Sequence, residues 1–148
     1  MPSTHLSLYY HIIFSTKGRR SCIRGTWENK LHQYLGGIMR KLGGVAKIVG
    51  GTADHVHMLV GLKATHNLAD VMKQVKANSS KWIRDCIDRS FWGWQDGYGG
   101  FSVSHWDIEK IKGYIQRQKE HHSQTSFKDE YMRFLRESGV EFDERYLW

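Results

Sequence analysis

Gly50-Gly51-Thr52-Ala53-Asp54-His55-Val56-His57-Met58-Leu59-Val60 is the stretch from which the rest of the chain is read. Glycines followed by small polar residues mark a turn, and the apolar run that follows marks a strand. On a strand, residues two apart share a face, so His55 and His57 project together while Val56, Met58 and Val60 point to the other side. Two imidazoles held on one rigid element are a ready pair of metal ligands. The same pattern also fits a half-buried strand with solvated or hydrogen-bonded histidines, so the pair alone leaves both readings open.

Working outward, Val45–Val49 reads as a strand joined to His55–Leu62 by a connection of hairpin length. Before it, Leu31, Leu35, Ile38, Met39 and Leu42 recur at helical spacing from Trp27 onward, and Gly43-Gly44 stops the helix. Leu6–Ser15, rich in aromatic and β-branched residues, reads as the first strand. After the histidines, Leu68, Val71, Met72, Val75, Ser79, Trp82, Ile83 and Ile87 repeat with helical period, flanked by Lys73, Lys76, Lys81 and Arg84. Gly97 to Val103 reads as a turn and short strand. Ser104-His105-Trp106-Asp107 has the form of a capping box that opens a helix over about 105–122, and a last helix covers about 127–138. The order β-α-β-β-α-β followed by helices predicts an α+β, ferredoxin-like antiparallel sheet with helices on one face and additional C-terminal helices. The other face would then be open to a long polymeric ligand.

The chain has 148 residues, 40% of them hydrophobic, with one proline, which suits one domain with a real core. Its net charge of +7, with six Trp, seven Tyr and six Phe, points to a polyanionic partner, nucleic acid first, provided the basic and aromatic residues share a face. Cys22 and Cys86 are too few and too isolated for a disulfide framework or a cysteine-rich zinc site, and they fit a reducing cytoplasm. No segment has the length of a membrane span or the form of a signal peptide, so a soluble cytoplasmic protein without a membrane partner is expected. Nothing resembles a phosphate-binding P-loop.

A second constellation lies in the 105–122 helix. Tyr114 and Gln118 are four residues apart and so share a face, which His121 continues, while Ile108, Ile111 and Ile115 turn to the core. By itself Tyr114 reads as an amphipathic residue at the edge of that core.

Together, Asp54-His55-Val56-His57-Met58-Leu59 and Tyr114-Ile115-Gln116-Arg117-Gln118-Lys119-Glu120-His121-His122 resemble the single-tyrosine HUH transposases of small bacterial insertion sequences, the IS200-like group. Ser15-Thr16-Lys17-Gly18-Arg19 and the ending Phe142-Asp143-Glu144-Arg145-Tyr146-Leu147-Trp148 extend the resemblance over almost the whole chain. It implies a single catalytic domain over 1–148, with Tyr114 as nucleophile and His55, His57 and Gln118 as ligands of a divalent metal. It also implies cleavage and rejoining of single-stranded DNA by transesterification through a 5′-phosphotyrosine, recognition of DNA hairpins at element ends, and a homodimer with composite sites. In such a dimer His55 and His57 of one subunit would meet Tyr114 and Gln118 of the other. Two imidazoles and an amide oxygen suit Mg2+ or Mn2+. Lys17, Arg19, Arg20, Lys73, Lys76 and Lys81 are the candidates for contact with DNA phosphates.

Three other readings compete. A histidine-triad hydrolase would need a third histidine where Leu59 stands. A zinc hydrolase would use His55, His57 and a third ligand, with an open water position. A domesticated, nonenzymatic hairpin-binding relative would keep the fold without mobility, and the intact His55, His57, Tyr114 and Gln118 argue against such decay.

Overall fold

Strand β3 (His55–Gly61) is buried along its whole length and has a neighbour on either side. A computed structural model describes residues 3–148, and in it the four-stranded sheet has the order β2-β3-β1-β4, with β1 at Tyr9–Ser15, β2 at Val45–Gly51 and β4 at Gly99–Val103. All three pairings are antiparallel. Helix α1 (Glu28–Lys41) connects β1 to β2, and α2 (Leu68–Cys86) connects β3 to β4. This is the ferredoxin-like α+β arrangement expected from the order of periodicities.

Alternation along the strands divides the sheet into two unlike faces. Ile12, Phe14, Val56, Met58 and Val60 form one core with Leu31, Leu35 and Met39 of α1 and Val71, Met72, Val75 and Ile83 of α2. Tyr34 and Trp82 stack at 4.6 Å where the two helices meet. The other face carries His11, Ile13, His55, His57 and Leu59, and cross-strand register sets Ile13 opposite His57 and Ser15 opposite His55.

That second face is covered, contrary to the open surface expected from the sequence. The C-terminal helices α3 (Ile108–Gln116), α4 (Gln118–His122) and α5 (Phe127–Glu137) lie over it. Ile108 and Ile115 pack on Leu59 and Val103, while Phe127, Tyr131 and Leu135 pack on Ile13 and Phe101. The apolar stripes of α3 and α5 need a surface to bury against, and this side of the sheet supplies it.

Two local expectations also change. Ser104 makes no side-chain cap; instead the Asp107 amide donates to the Ser104 carbonyl at 3.0 Å in a 3-10 turn over His105–Asp107. The helix expected over about 105–122 is broken at Arg117, whose φ of −101° and ψ of 23° end α3 and start α4. Ser126 does cap α5, accepting from the Asp129 amide at 3.2 Å.

Candidate active site

The site begins with two glycines. Gly51, at a φ of +149°, lets the chain turn into β3: a Cβ there would lie 2.2 Å from the His55 carbonyl oxygen. Gly50 sits in register with His57, and a Cβ on it would lie 2.8 Å from both the side chain and the carbonyl of Ile115. Its missing side chain admits the C-terminal end of α3, which brings Tyr114 and Gln118 over the histidine pair.

His55 and His57 are fully buried. His55 Nδ1 donates to the Asp54 carboxylate at 2.7 Å, and its ring lies flat on Phe127, with centroids 4.1 Å apart. His57 Nδ1 lies 2.7 Å from His11 Nε2. Each imidazole therefore has its Nδ1 engaged, and its Nε2 points inward, the usual arrangement by which neighbouring groups orient metal-ligating histidines.

The inward atoms converge. His55 Nε2 lies 2.9 Å from Gln118 Oε1, and His57 Nε2 lies 3.0 Å from Glu130 Oε1. Gln118 Nε2 donates to Glu130 Oε2 at 3.2 Å, the Tyr114 hydroxyl donates to the same oxygen, and His122 Nε2 is 3.0 Å from Oε1. Ligand atoms of His55, His57, His122 and Glu130 all lie within 4.8 Å of one another. Imidazole, carboxylate and amide groups gathered this closely suit a divalent ion.

The electrostatics follow from burial and from Glu130. Burial lowers His57 to a pKa of about 4, against the raising effect of Glu130. His11 is also held well below the ordinary imidazole value, by burial and then by His57. Burial raises the Tyr114 phenol well above its usual value, and the hydrogen bond to Glu130 adds to the rise. Burial also pulls Glu130 upward, but hydrogen bonds from His122 and His57 outweigh it and hold the carboxyl far below the usual range. At neutral pH the centre thus contains a carboxylate and a protonated phenol.

The four residues singled out in the sequence meet within one chain, so a site shared between two subunits is not needed to assemble them. Glu130 and His11 join them in the structure without being singled out by the sequence motifs. Glu130 stands three residues after Phe127 and one before Tyr131, on the apolar face of α5, and a charged residue on a core-facing stripe is the signal that marks it. His11 sits between Tyr9 and Ile13 on the same face of β1, a polar side chain in an apolar alternation.

The basic candidates separate. Lys17 and Lys73 line an open groove between α2 and the segment 92–98, together with Arg84, Trp92, Trp94 and Tyr98. Lys76 lines it too, but its ammonium donates to the carbonyls of Gln95, at 2.7 Å, of Asp96 and of Gly97, and burial lowers its pKa to about 8. It is a clamp on that segment. The Arg20 guanidinium lies 3.9 Å above the exposed Trp92 ring, and Arg19 lies 4.5 Å above Trp148. Lys81 points elsewhere and pairs with Asp85 at 2.7 Å. Basic and aromatic side chains do share a face here, and Lys17 stands two residues beyond Ser15, the end of β1 that pairs with His55.

No curated protein matches the chain. Several solved structures share its fold. A candidate transposase from Deinococcus radiodurans R1 aligns with a TM-score of 0.65 and 24% identity, over 80% of this chain and 95% of that one. A REP-associated tyrosine transposase bound to a REP hairpin aligns with a TM-score of 0.62 and 12% identity, over 84% of this chain and 74% of that one. No helix of the described residues is long and apolar enough to cross a membrane. The family described as transposase IS200 like matches residues 4–118, from before β1 to the glutamine that faces His55, and the chain is therefore a member of the IS200-like transposase family.

Proposed function

We propose that this chain is a cytoplasmic, single-domain transposase that cleaves and rejoins single-stranded DNA at element ends, with Tyr114 as nucleophile. The observation that carries the reading is the convergence of the Tyr114 hydroxyl, Gln118 and the Nε2 atoms of His55 and His57 on one buried point. In the forward step the phenol oxygen bonds to the scissile phosphorus and the bond to the 3′ oxygen breaks, leaving a 5′-phosphotyrosine and a free 3′ hydroxyl. The Glu130 carboxylate holds the phenol by a hydrogen bond, and the phenol proton ends on the departing 3′ oxygen. Attack by a second 3′ hydroxyl reverses the chemistry, rejoins the strand and restores Tyr114, so no external energy source is required.

His55, His57 and Gln118 would hold a divalent ion, Mg2+ or Mn2+, oriented by Asp54 and His11 from behind. Such an ion supplies positive charge for the phosphoryl oxygens and for the phenolate that burial otherwise disfavours. The DNA partner is a single strand with a hairpin, a reading supported by the hairpin-bound relative. Lys17 and Lys73 would take its phosphates along the groove beside α2, and Trp92 offers a ring for an unpaired base. A homodimer with composite sites belongs to the family resemblance, but the convergence within one chain favours sites built in cis. Co-expressed His57→Ala and Tyr114→Phe subunits decide between them, since only composite sites restore cleavage in the mixed dimer.

The test of the nucleophile is Tyr114→Phe, assayed on labelled single-stranded DNA carrying the element-end hairpin. Cleavage and the covalent adduct should fall at least about a thousandfold, with hairpin binding and helical signal unchanged. An adduct that persists in the variant moves the nucleophile elsewhere, with the exposed Tyr146 examined first.

A further inference from the structure

Glu130 lies twelve residues beyond Gln118, where the family match ends, and none of the family's motif residues read in the sequence includes it. It is nonetheless the most connected side chain of the site. Its Oε1 lies 3.0 Å from His57 Nε2 and 3.7 Å from His55 Nε2, so one carboxylate oxygen faces both inward imidazole nitrogens. Its Oε2 accepts from the Tyr114 hydroxyl and from Gln118 Nε2. The side chain is fully buried, and among the described residues every ion-pair partner within 4.0 Å is a histidine: His55, His57, His121 and His122. Among the described residues no lysine or arginine lies within 4.0 Å of its oxygens. One ligand atom each of Glu130, His55, His57 and His122 lies within 4.8 Å of the others, and imidazole and carboxylate groups gathered at that spacing are those that divalent ions take.

We propose that Glu130 is an anionic ligand of the cation held by His55 and His57, binding it through Oε1 while Oε2 keeps the Tyr114 hydroxyl. The carboxylate then acts as a bridge that sets the nucleophile at a constant position relative to the ion. This inference rests on the metal-dependent reading above and adds to it a ligand from α5, outside the segment shared with the family. A hard carboxylate ligand also tilts the site toward Mg2+ and Mn2+ over softer ions.

The experiment is Mn2+ titration of the purified full-length chain, with free ion followed by electron paramagnetic resonance in the absence of DNA. Glu130→Gln, which keeps the shape and removes the charge, should weaken binding at least about tenfold, whereas Tyr114→Phe should leave it within about twofold. Wild-type affinity in Glu130→Gln overturns the proposal. The two readings fail differently: if wild type binds no better than His57→Ala, the histidine metal site itself falls, and the bridge with it. If His57→Ala loses Mn2+ and Glu130→Gln keeps it, only the role of Glu130 falls.

A second measurement needs no variant and so covers the case in which Glu130→Gln does not fold. Wild-type protein labelled with 13C at its glutamate carboxyl carbons is loaded with Mn2+ and examined by electron–nuclear double resonance. Glu130 is the only glutamate in the candidate metal group of the described residues. A 13C coupling of the size of a directly bound carboxylate supports the bridge, and its absence overturns it.

Discussion

The two faces of β3 differ more than any other pair of regions in the molecule, though their residues alternate along one strand. Val56, Met58 and Val60 belong to an apolar core built mainly with α1 and α2, so any side chain of the right size and polarity would serve. His55 and His57, one position away on either side of Val56, meet Asp54, His11, Gln118 and Glu130, each through a defined atom. The first face is specified by volume and the second by donor and acceptor geometry. Stability and chemistry are thereby placed on opposite sides of the same backbone, where a substitution can disturb one and spare the other.

The sharpest way to break that comparison is His57→Ala. Cleavage of the hairpin substrate should fall at least about a hundredfold, because an imidazole and the anchor for His11 and Glu130 are lost together. Hairpin affinity, measured by a gel-shift titration, should change little. If cleavage survives, or chelator leaves wild-type cleavage intact, the histidine face is structural.

Met58→Ala, the next residue, tests the other side. Removing a fully buried thioether chain should cost about 2 to 5 kcal/mol in urea unfolding. Cleavage below the melting temperature should stay within about threefold of wild type. An equal loss of cleavage would show that the faces are not independent.

Smaller effects sharpen the reading of the basic surface. Lys76→Met leaves three carbonyls of the segment Gln95–Gly97 without their shared donor, at a cost of about 1 to 3 kcal/mol. Faster amide exchange confined to that segment and its neighbours on α2 is the expected signature. Lys73→Ala should lower the slope of log affinity against log salt by about 0.7 for a single strand, the share of one phosphate contact. Lys81→Ala should leave that slope unchanged, since Lys81 lies outside the groove and pairs with Asp85. A slope change in Lys81→Ala alone would place the DNA along the other side of α2.

Much of this was legible in the residues because it depends on local periodicity. The period of two in His55–Val60 and the periods of three and four in Leu31–Leu42 and Leu68–Ile87 set the strands, the helices and the division of the sheet. The spacing of Tyr114 and Gln118 put both on one side, and that survives the break at Arg117 because each still reaches the same carboxylate. What local pattern does not contain is where a C-terminal helix docks. Hence the pattern alone leaves the histidine face open and the basic candidates alike, although Lys76 and Lys81 have partners in the fold.

By itself, then, the sequence determined the order of elements, the side of β3 on which the histidines stand, and the residues that resemble a transposase site, all consequences of backbone geometry over a few positions. Only the tertiary structure decided that Glu130 reaches His57 across 73 residues, that His11 backs it across 46, and that all of them are closed off from solvent. The physical reason is desolvation. Once α3, α4 and α5 bury their apolar stripes on this face, the polar groups beneath them lose water, and which partners they meet instead depends on where the helices come to rest.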